Sequence, residues 1–283
     1  MAYTTFHGRF HCSDHHNRIQ YYVYEPEDEV SAVVQVIHGL WESMVEFEEM
    51  VEYLTDRGIA VCGCDQLGHG ASLNDDLYGY FGEKNGWMIL VKDQVRFSKY
   101  VRKIYPETPL YLYGSGFGAS IARITVRNLP YCDGMILEGC PGKIRGTRRM
   151  ILISSILKRI QGSEHPFITF EKLSQYVMNG RKGTLKVNSK RYPVSSWEDI
   201  FILSAVSNRK TDKIKGHVGR VLLLYGEEDP LYKMGTGMGG ILHQFNKGGS
   251  HIQSYCYQSM AHLLHKGEGS QRVFSDIATW ILA

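Results

Sequence analysis

The sequence predicts an α/β chain with a mostly parallel sheet covered by helices on both faces. Three observations predict it. Short, nearly continuous apolar runs recur along the chain, stretches with helical spacing lie between them, and several of the runs end in glycine-rich turns. Buried parallel strands read as unbroken apolar runs because both of their faces are covered.

Taken in order, Phe6 to Cys12 and Arg18 to Tyr24 read as two strands joined at the polar stretch Ser13 to Asn17, which suits a hairpin and an antiparallel edge. Ala32 to Ile37 is the first run apolar enough to be buried on both faces. Ile59 to Cys64, Leu110 to Tyr113, Met135 to Leu137, Val221 to Tyr225 and His251 to Tyr257 continue the series. Helical spacing covers Val45 to Asp56, Gly86 to Ile104 and Ser120 to Leu129, and a terminal helix starts at Ser270. The turns His38-Gly39, Gly68-His69-Gly70, Gly114 to Gly118 and Gly226 follow strands at their carboxyl ends, the edge at which open α/β sheets carry their sites.

One stretch breaks the alternation. Between Lys143 and Arg191 stand twelve lysines and arginines against two acids, in a chain whose total is 32 basic and 29 acidic side chains. Within it, Met150 to Ile160 is apolar with basic flanks, the pattern of an amphipathic helix covering an apolar cleft or touching an anionic lipid surface. A solvated basic face is the plainer alternative. The expected division is a sheet domain of residues 1–142 and 209–283 with residues 143–208 inserted as a basic cap.

The chain has 283 residues, 43% hydrophobic and 22% charged, which gives enough apolar material for a sizeable core and excludes a disordered or fibrous protein. A net charge of +3 gives no reason to expect nucleic acid as the partner. The sequence shows neither a cleavable leader pattern nor an apolar run near the roughly 20 residues of a membrane span, so the expectation is a soluble cytoplasmic protein. Six cysteines are too sparse for a small disulfide framework, and Cys62 and Cys64, inside a strand-like run, read as small buried residues rather than metal ligands.

Chemistry concentrates in three places. Leu110 to Ser120 is a strand, a glycine-crowded turn and a helix start, the setting of the nucleophile elbow G-x-S-x-G. With Gly114 and Gly118 as the flanking glycines, the nucleophile position is Gly116, which has no side chain. A frame centred on Ser115 would put Tyr113 and Phe117 at the two small positions and is rejected. Asp229 follows a strand and precedes Pro230, and His262 follows the last strand run. The order elbow, acid, histidine is that of α/β-hydrolases, in which the acid orients the histidine that serves as base. Leu40, in the turn after the first parallel strand, and Phe117, after the elbow, are the candidate backbone donors of an oxyanion hole, and Trp41 is placed to line an acyl pocket. His69 reads as a structural member of its turn. Ser115 and Ser120 flank the elbow without the geometry to replace a nucleophile, and Cys140 reads as packing.

On His38-Gly39 with Glu42-Ser43, Asp65 to Ser72, the elbow, Gly226 to Pro230 and His262, the sequence resembles the monoacylglycerol lipase and lysophospholipase branch of the α/β-hydrolase fold, also described as serine aminopeptidase-like. The resemblance implies an eight-stranded sheet, a cap after the sixth strand, no metal or organic cofactor, and hydrolysis of carboxylic esters of lipid-like substrates.

Gly116 departs from that pattern, because without a hydroxyl no acyl-enzyme forms. Removing the nucleophile of such a triad costs on the order of a million-fold in turnover. Four readings follow: a hydrolase lacking its serine that the serine would restore, a binder of a lipid-like or acyl ligand, a His-Asp site for proton transfer without a nucleophile, and slow hydrolysis by water activated on His262.

Overall fold

The computed structural model describes residues 3–73, 77–130, 132–144, 146–167, 191–209, 217–231 and 237–283. Eight strands form one sheet: β1 (Tyr3–His11), β2 (Arg18–Pro26), β3 (Ala32–Ile37), β4 (Ile59–Cys64), β5 (Leu110–Ser115), β6 (Cys132–Glu138), β7 (Val218–Gly226) and β8 (His251–Tyr257). Their spatial order is β1-β2-β4-β3-β5-β6-β7-β8. β1 and β2 pair antiparallel, as does β2 with β4, and every other neighbouring pair is parallel. The hairpin expected at Ser13 to Asn17 closes β1 onto β2, with Asp14 accepting from the backbone of His16 and Asn17.

The helices are α1 (Glu48–Thr55), α2 (Gly86–Ile104), α3 (Phe117–Thr125), α4 (Thr147–Gln161), α5 (Val194–Ser207), α6 (Gly237–Asn246) and α7 (Ser270–Leu282). Two apolar layers hold them to the sheet, and successive strand residues supply opposite layers because side chains alternate along a strand. Val33, Leu112 and Leu223 pack in the layer shared with α2, α3 and α5, whereas Val34, Tyr111 and Leu222 pack in the layer shared with α1 and α7. Burying each such aliphatic side chain is worth roughly 1.5–3 kcal/mol.

Two helices were not legible in the sequence. α5 is buried on most of its sides, with Val194, Trp197, Phe201 and Leu203 all in the core, so it carries no one-faced apolar period. α6 opens Gly-Met-Gly-Gly, a poor helix start by propensity. The expected Ser120 to Leu129 helix starts earlier, at Phe117, and ends in a short 3₁₀ turn, Val126–Asn128.

Between β6 and β7 lie α4, which contains the apolar run Met150 to Ile160, and α5. Residues 168–190 of the expected cap fall outside the described residues. α5 is tied to the sheet domain at the start of α2, where Asp199 Oδ2 accepts from the Gly86 backbone N–H at 3.0 Å. Burial pushes the Asp199 carboxyl up to about 7 even though the backbone N–H groups of Trp87 and Gly86 oppose the shift. Cys62 and Cys64 are buried in β4, and no helix among the described residues is long and apolar enough to cross a membrane.

Candidate active site

β5 ends at Ser115 and α3 begins at Phe117, so the chain turns from strand to helix within one residue. That residue, Gly116, has φ 49° and ψ −111°, a conformation L side chains rarely adopt. The flanking glycines answer to close backbone approach. A Cβ on Gly114 would lie 2.5 Å from Ala119 Cα, and one on Gly118 would lie 2.0 Å from Ile37 O. No side chain fits at either place, which assigns the G-x-x-x-G frame to 114 and 118 and its centre to 116. A Cβ on Gly116 would point into the site, 2.7 Å from His262 Nε2.

The structure brings the predicted acid and histidine together. His262 Nδ1 donates to Asp229 Oδ2 at 2.9 Å, and the other carboxylate oxygen of Asp229 accepts from Leu231 N at 2.8 Å. Both side chains are almost fully buried. The loop carrying His262 sits on the end of β7 because Gly226 has no side chain there. A Cβ at Gly226 would fall 2.2 Å from the carbonyl oxygens of both Met260 and Ala261. Burial pushes the His262 imidazole down, but the Asp229 charge and hydrogen bond, with Glu138 and Glu42 behind them, outweigh it and leave it above the ordinary histidine value. With the proton held on Nδ1, the Nε2 lone pair faces Gly116, the arrangement of a general base.

The turn after β3 supplies the opposite wall. Gly39 N donates to Glu42 Oε2 at 2.6 Å, Trp41 adopts a left-handed φ of 61°, and Trp41 N donates to Tyr192 Oη at 2.9 Å. The backbone N–H groups of Leu40 and Phe117 have no acceptor among the described residues. Trp41 packs edge-on to Tyr192, with ring centroids 4.9 Å apart, and lies 6.2 Å from Trp197. Tyr192, just before α5, and Trp197, on α5, thus pack against Trp41.

His69 takes no part in the dyad. Its Nδ1 donates to Leu67 O at 3.1 Å and its Nε2 accepts from Tyr192 Oη at 2.5 Å. Burial and the neighbouring His38 drive it down to about 3, so the ring is a neutral strut between its own turn and Tyr192. The hydroxyls of Ser115 and Ser120 are buried and have no hydrogen-bond partner among the described residues, His262 included. Burial raises the Cys140 thiol above its ordinary value, with the Arg123 guanidinium 3.7 Å away opposing the shift, so the sulfur is a poor nucleophile.

A second buried histidine and its partners left no local mark in the sequence. His265 Nδ1 donates to Glu138 Oε1 at 2.7 Å, and its Nε2 stands 3.0 Å from Glu42 Oε1, a charge contact off the line of a hydrogen bond. Glu138, the last residue of β6, also accepts from Leu264 N at 2.8 Å and from the Tyr113 hydroxyl. His265 stacks on Phe47 with ring centroids 4.3 Å apart. Burial opposes its charged form, but the two carboxylates push it up to about 10. The converse holds for Glu42, which burial would raise but which His265 and Lys266 hold down to about 2. Glu42 was visible in the motif after His38-Gly39. Nothing in the sequence connected it with Glu138 or His265.

A parallel sheet with an elbow after β5, an acid after β7 and a histidine after β8 defines an α/β-hydrolase. Residues 28–269 match the model of the serine aminopeptidase, S33 family, and the chain belongs to that family. It is 23% identical over 270 residues to a monoglyceride lipase of Rattus norvegicus, covering 91% of this chain and 84% of the rat protein. It is 24% identical over 269 residues to a monoglyceride lipase homolog of Monkeypox virus, covering 88% of this chain and 89% of the viral one. Among solved structures, a carboxyl esterase from Bacillus coagulans superposes with a TM-score of 0.82 at 19% identity, over 100% of this chain and 98% of that one. A soluble variant of monoglyceride lipase from Saccharomyces cerevisiae, in complex with a substrate analog, superposes with 0.73 at 15%, over 99% and 95%.

Proposed function

We propose that this chain is a monoacyl-ester-recognising member of its hydrolase family whose site keeps the base, the acid and the oxyanion donors but has no nucleophile, so that it binds lipid-like acyl ligands without forming an acyl-enzyme. One observation carries the reading: a Cβ at 116 would lie 2.7 Å from His262 Nε2, so glycine stands where a serine would place its hydroxyl beside the imidazole. In this reading His262 is the base, Asp229 fixes its tautomer, Leu40 and Phe117 are the oxyanion donors, and Trp41 lines the acyl pocket under a cap of residues 143–208. Hydrolysis that remains is routed through water on His262 and passes no covalent intermediate.

The test is Gly116→Ser beside the unaltered protein, with a short-chain and a long-chain monoacyl ester and a serine-directed phosphonate. Turnover and labelling by the variant alone support the reading. Inertness of a folded variant toward both esters and the probe removes it and leaves nucleophile-free proton transfer at the dyad as the better account. His262 must withdraw by some tenths of an ångström to admit the new Cβ, and the contact atom is the far end of its ring.

A second reading concerns the cap surface. Leu152, Ile153, Ile156 and Ile160 of α4 are exposed, at 61%, 44%, 47% and 74%, on a helix that also carries Arg148, Arg149 and Arg159. Apolar side chains flanked by cations suit contact with an anionic lipid surface. Vesicles containing anionic lipid should bind the protein at low salt, and the Leu152→Ser/Ile156→Ser variant should lose that binding.

A further inference from the structure

A cleft of about 1190 Å³ opens where the start of α4, the end of α5 and the start of α6 meet. It is not lined by Gly116, Asp229 or His262. Its described lining carries five basic side chains, Lys143, Arg148, Arg149, Arg209 and His243, and no carboxylate. None of the five is ion-paired among the described residues. Like charges gathered without a counter-charge repel one another, and such a cluster is relieved by an anion.

The backbone acts in the same sense. α4, of 15 residues, starts in the lining at Gly146 and Thr147, and α6, of 10 residues, passes its first turn there at Gly239 and Gly240. Neither helix has an acid in its first turn. Among the described residues, a Cβ on Gly146, Gly239 or Gly240 would meet no atom within 4 Å, so the backbone at these positions can be approached closely from the cleft.

Behind the wall lies a further positive charge. Arg123 on α3 is fully buried, and its guanidinium donates to Gln244 Oε1 at 2.7 Å, Ser207 O at 2.7 Å and Asn208 Oδ1 at 3.3 Å. These acceptors are neutral, and no carboxylate pairs with Arg123 among the described residues. Asn208, which Arg123 holds, is itself part of the cleft lining. A buried cation without a counterion is costly on its own and adds positive potential where the cleft needs it.

We propose that this cleft binds a phosphate-type oxyanion of two or more negative charges, held by the Arg148 and Arg149 guanidiniums and the two helix starts. Planar guanidiniums match phosphate oxygens in pairs, and a multiply charged group answers a cluster of this size where a single carboxylate does not. The phosphate can belong to a soluble phosphate ester or to a lipid headgroup. The site is separate from the acyl pocket, and its occupancy is read without turnover, so its test and that of Gly116→Ser fail independently.

The full chain is titrated at low salt with inorganic pyrophosphate by calorimetry, and in parallel sedimented with phosphatidic acid vesicles and with phosphatidylcholine vesicles. Arg148→Ala/Arg149→Ala removes the central cations, while Lys103→Ala removes an exposed cation on α2, outside the cleft. Pyrophosphate binding that weakens at least tenfold in the double variant, weakens with added salt and is unchanged in Lys103→Ala supports a soluble phosphate ligand. Binding to phosphatidic acid vesicles alone, lost in the double variant but kept by Leu152→Ser/Ile156→Ser, supports the headgroup, whereas loss in both variants assigns the vesicle contact to the exposed face of α4 and overturns the cleft as its site. Absence of binding to either probe, binding unaltered in the double variant, or an equal loss in Lys103→Ala overturns the proposal. Matching thermal melts of the four proteins establish that the variants are folded.

Discussion

His262 and His265 are both fully buried histidines on one loop after β8, each within hydrogen-bond reach of a carboxylate, and they are built for opposite purposes. His262 has one carboxylate, on Nδ1, and leaves Nε2 facing Gly116. His265 has a carboxylate at each ring nitrogen and an aromatic ring stacked on its face. The first arrangement leaves a lone pair free to take a proton; the second fixes the proton and makes the ring a charged bolt between the ends of β6 and the turn after β3. Burial and a nearby acid do not by themselves mark a base. What sets His262 apart is an Nε2 that no carboxylate among the described residues approaches and that lies beside Gly116.

The largest expected effect breaks the comparison on the His262 side. Gly116→Ser should raise monoacyl ester turnover by up to about a million-fold, read by initial rates, and adding His262→Ala should abolish the gain. Adding Glu138→Gln should lower the gain only partly, because Glu138 acts on the loop and not on the reacting atoms. On the His265 side, His265→Ala removes the cation that buried Glu42 and Glu138 share, leaving Lys266 at 3.9 Å from Glu42, and should cost about 3–5 kcal/mol of stability in denaturant unfolding.

The same clamp should titrate. The folded value of His265 lies at about 10, above its ordinary 6.5, so the folded state binds the proton more tightly than the unfolded chain does. Its contribution is therefore complete below about pH 6.5 and is lost as pH rises through 10. The melting temperature should fall over that window, and the slope should flatten in His265→Gln. The smallest effect is Gly116→Ala, which adds a methyl at φ 49° against the imidazole without an oxygen. It should cost about 1–3 kcal/mol by thermal melt and give no turnover, which separates the space at 116 from the chemistry.

Much of this was legible in sequence order. The runs Ala32–Ile37 and Ile59–Cys64 and the helices Gly86–Ile104 and from Ser270 coincide with the observed elements, since each is either apolar throughout or apolar on one face, and His251–Tyr257 coincides as well although only Tyr257 in it is buried. The glycines at 114 and 118, with Asp229 and His262 each at the carboxyl end of a strand, gave the line of the site. The helices α5 and α6 escaped notice, the first for being buried on most sides and the second for its glycines.

What the sequence determined by itself, then, is which segments are the strands and most of the helices, where the backbone must pass without a side chain, and that position 116 lacks an oxygen. These are properties of single residues and short periods, set by burial on one face or two and by steric exclusion of Cβ. What only the tertiary structure decided is who meets whom: Glu138 with His265 across 127 residues of chain, Tyr192 against Trp41 and His69, and Lys143, Arg148 and Arg149 with Arg209 and His243 around one cleft. Those pairings depend on how the strands are ordered in the sheet and on where the connections between them return, and no local pattern of polar and apolar residues encodes that geometry.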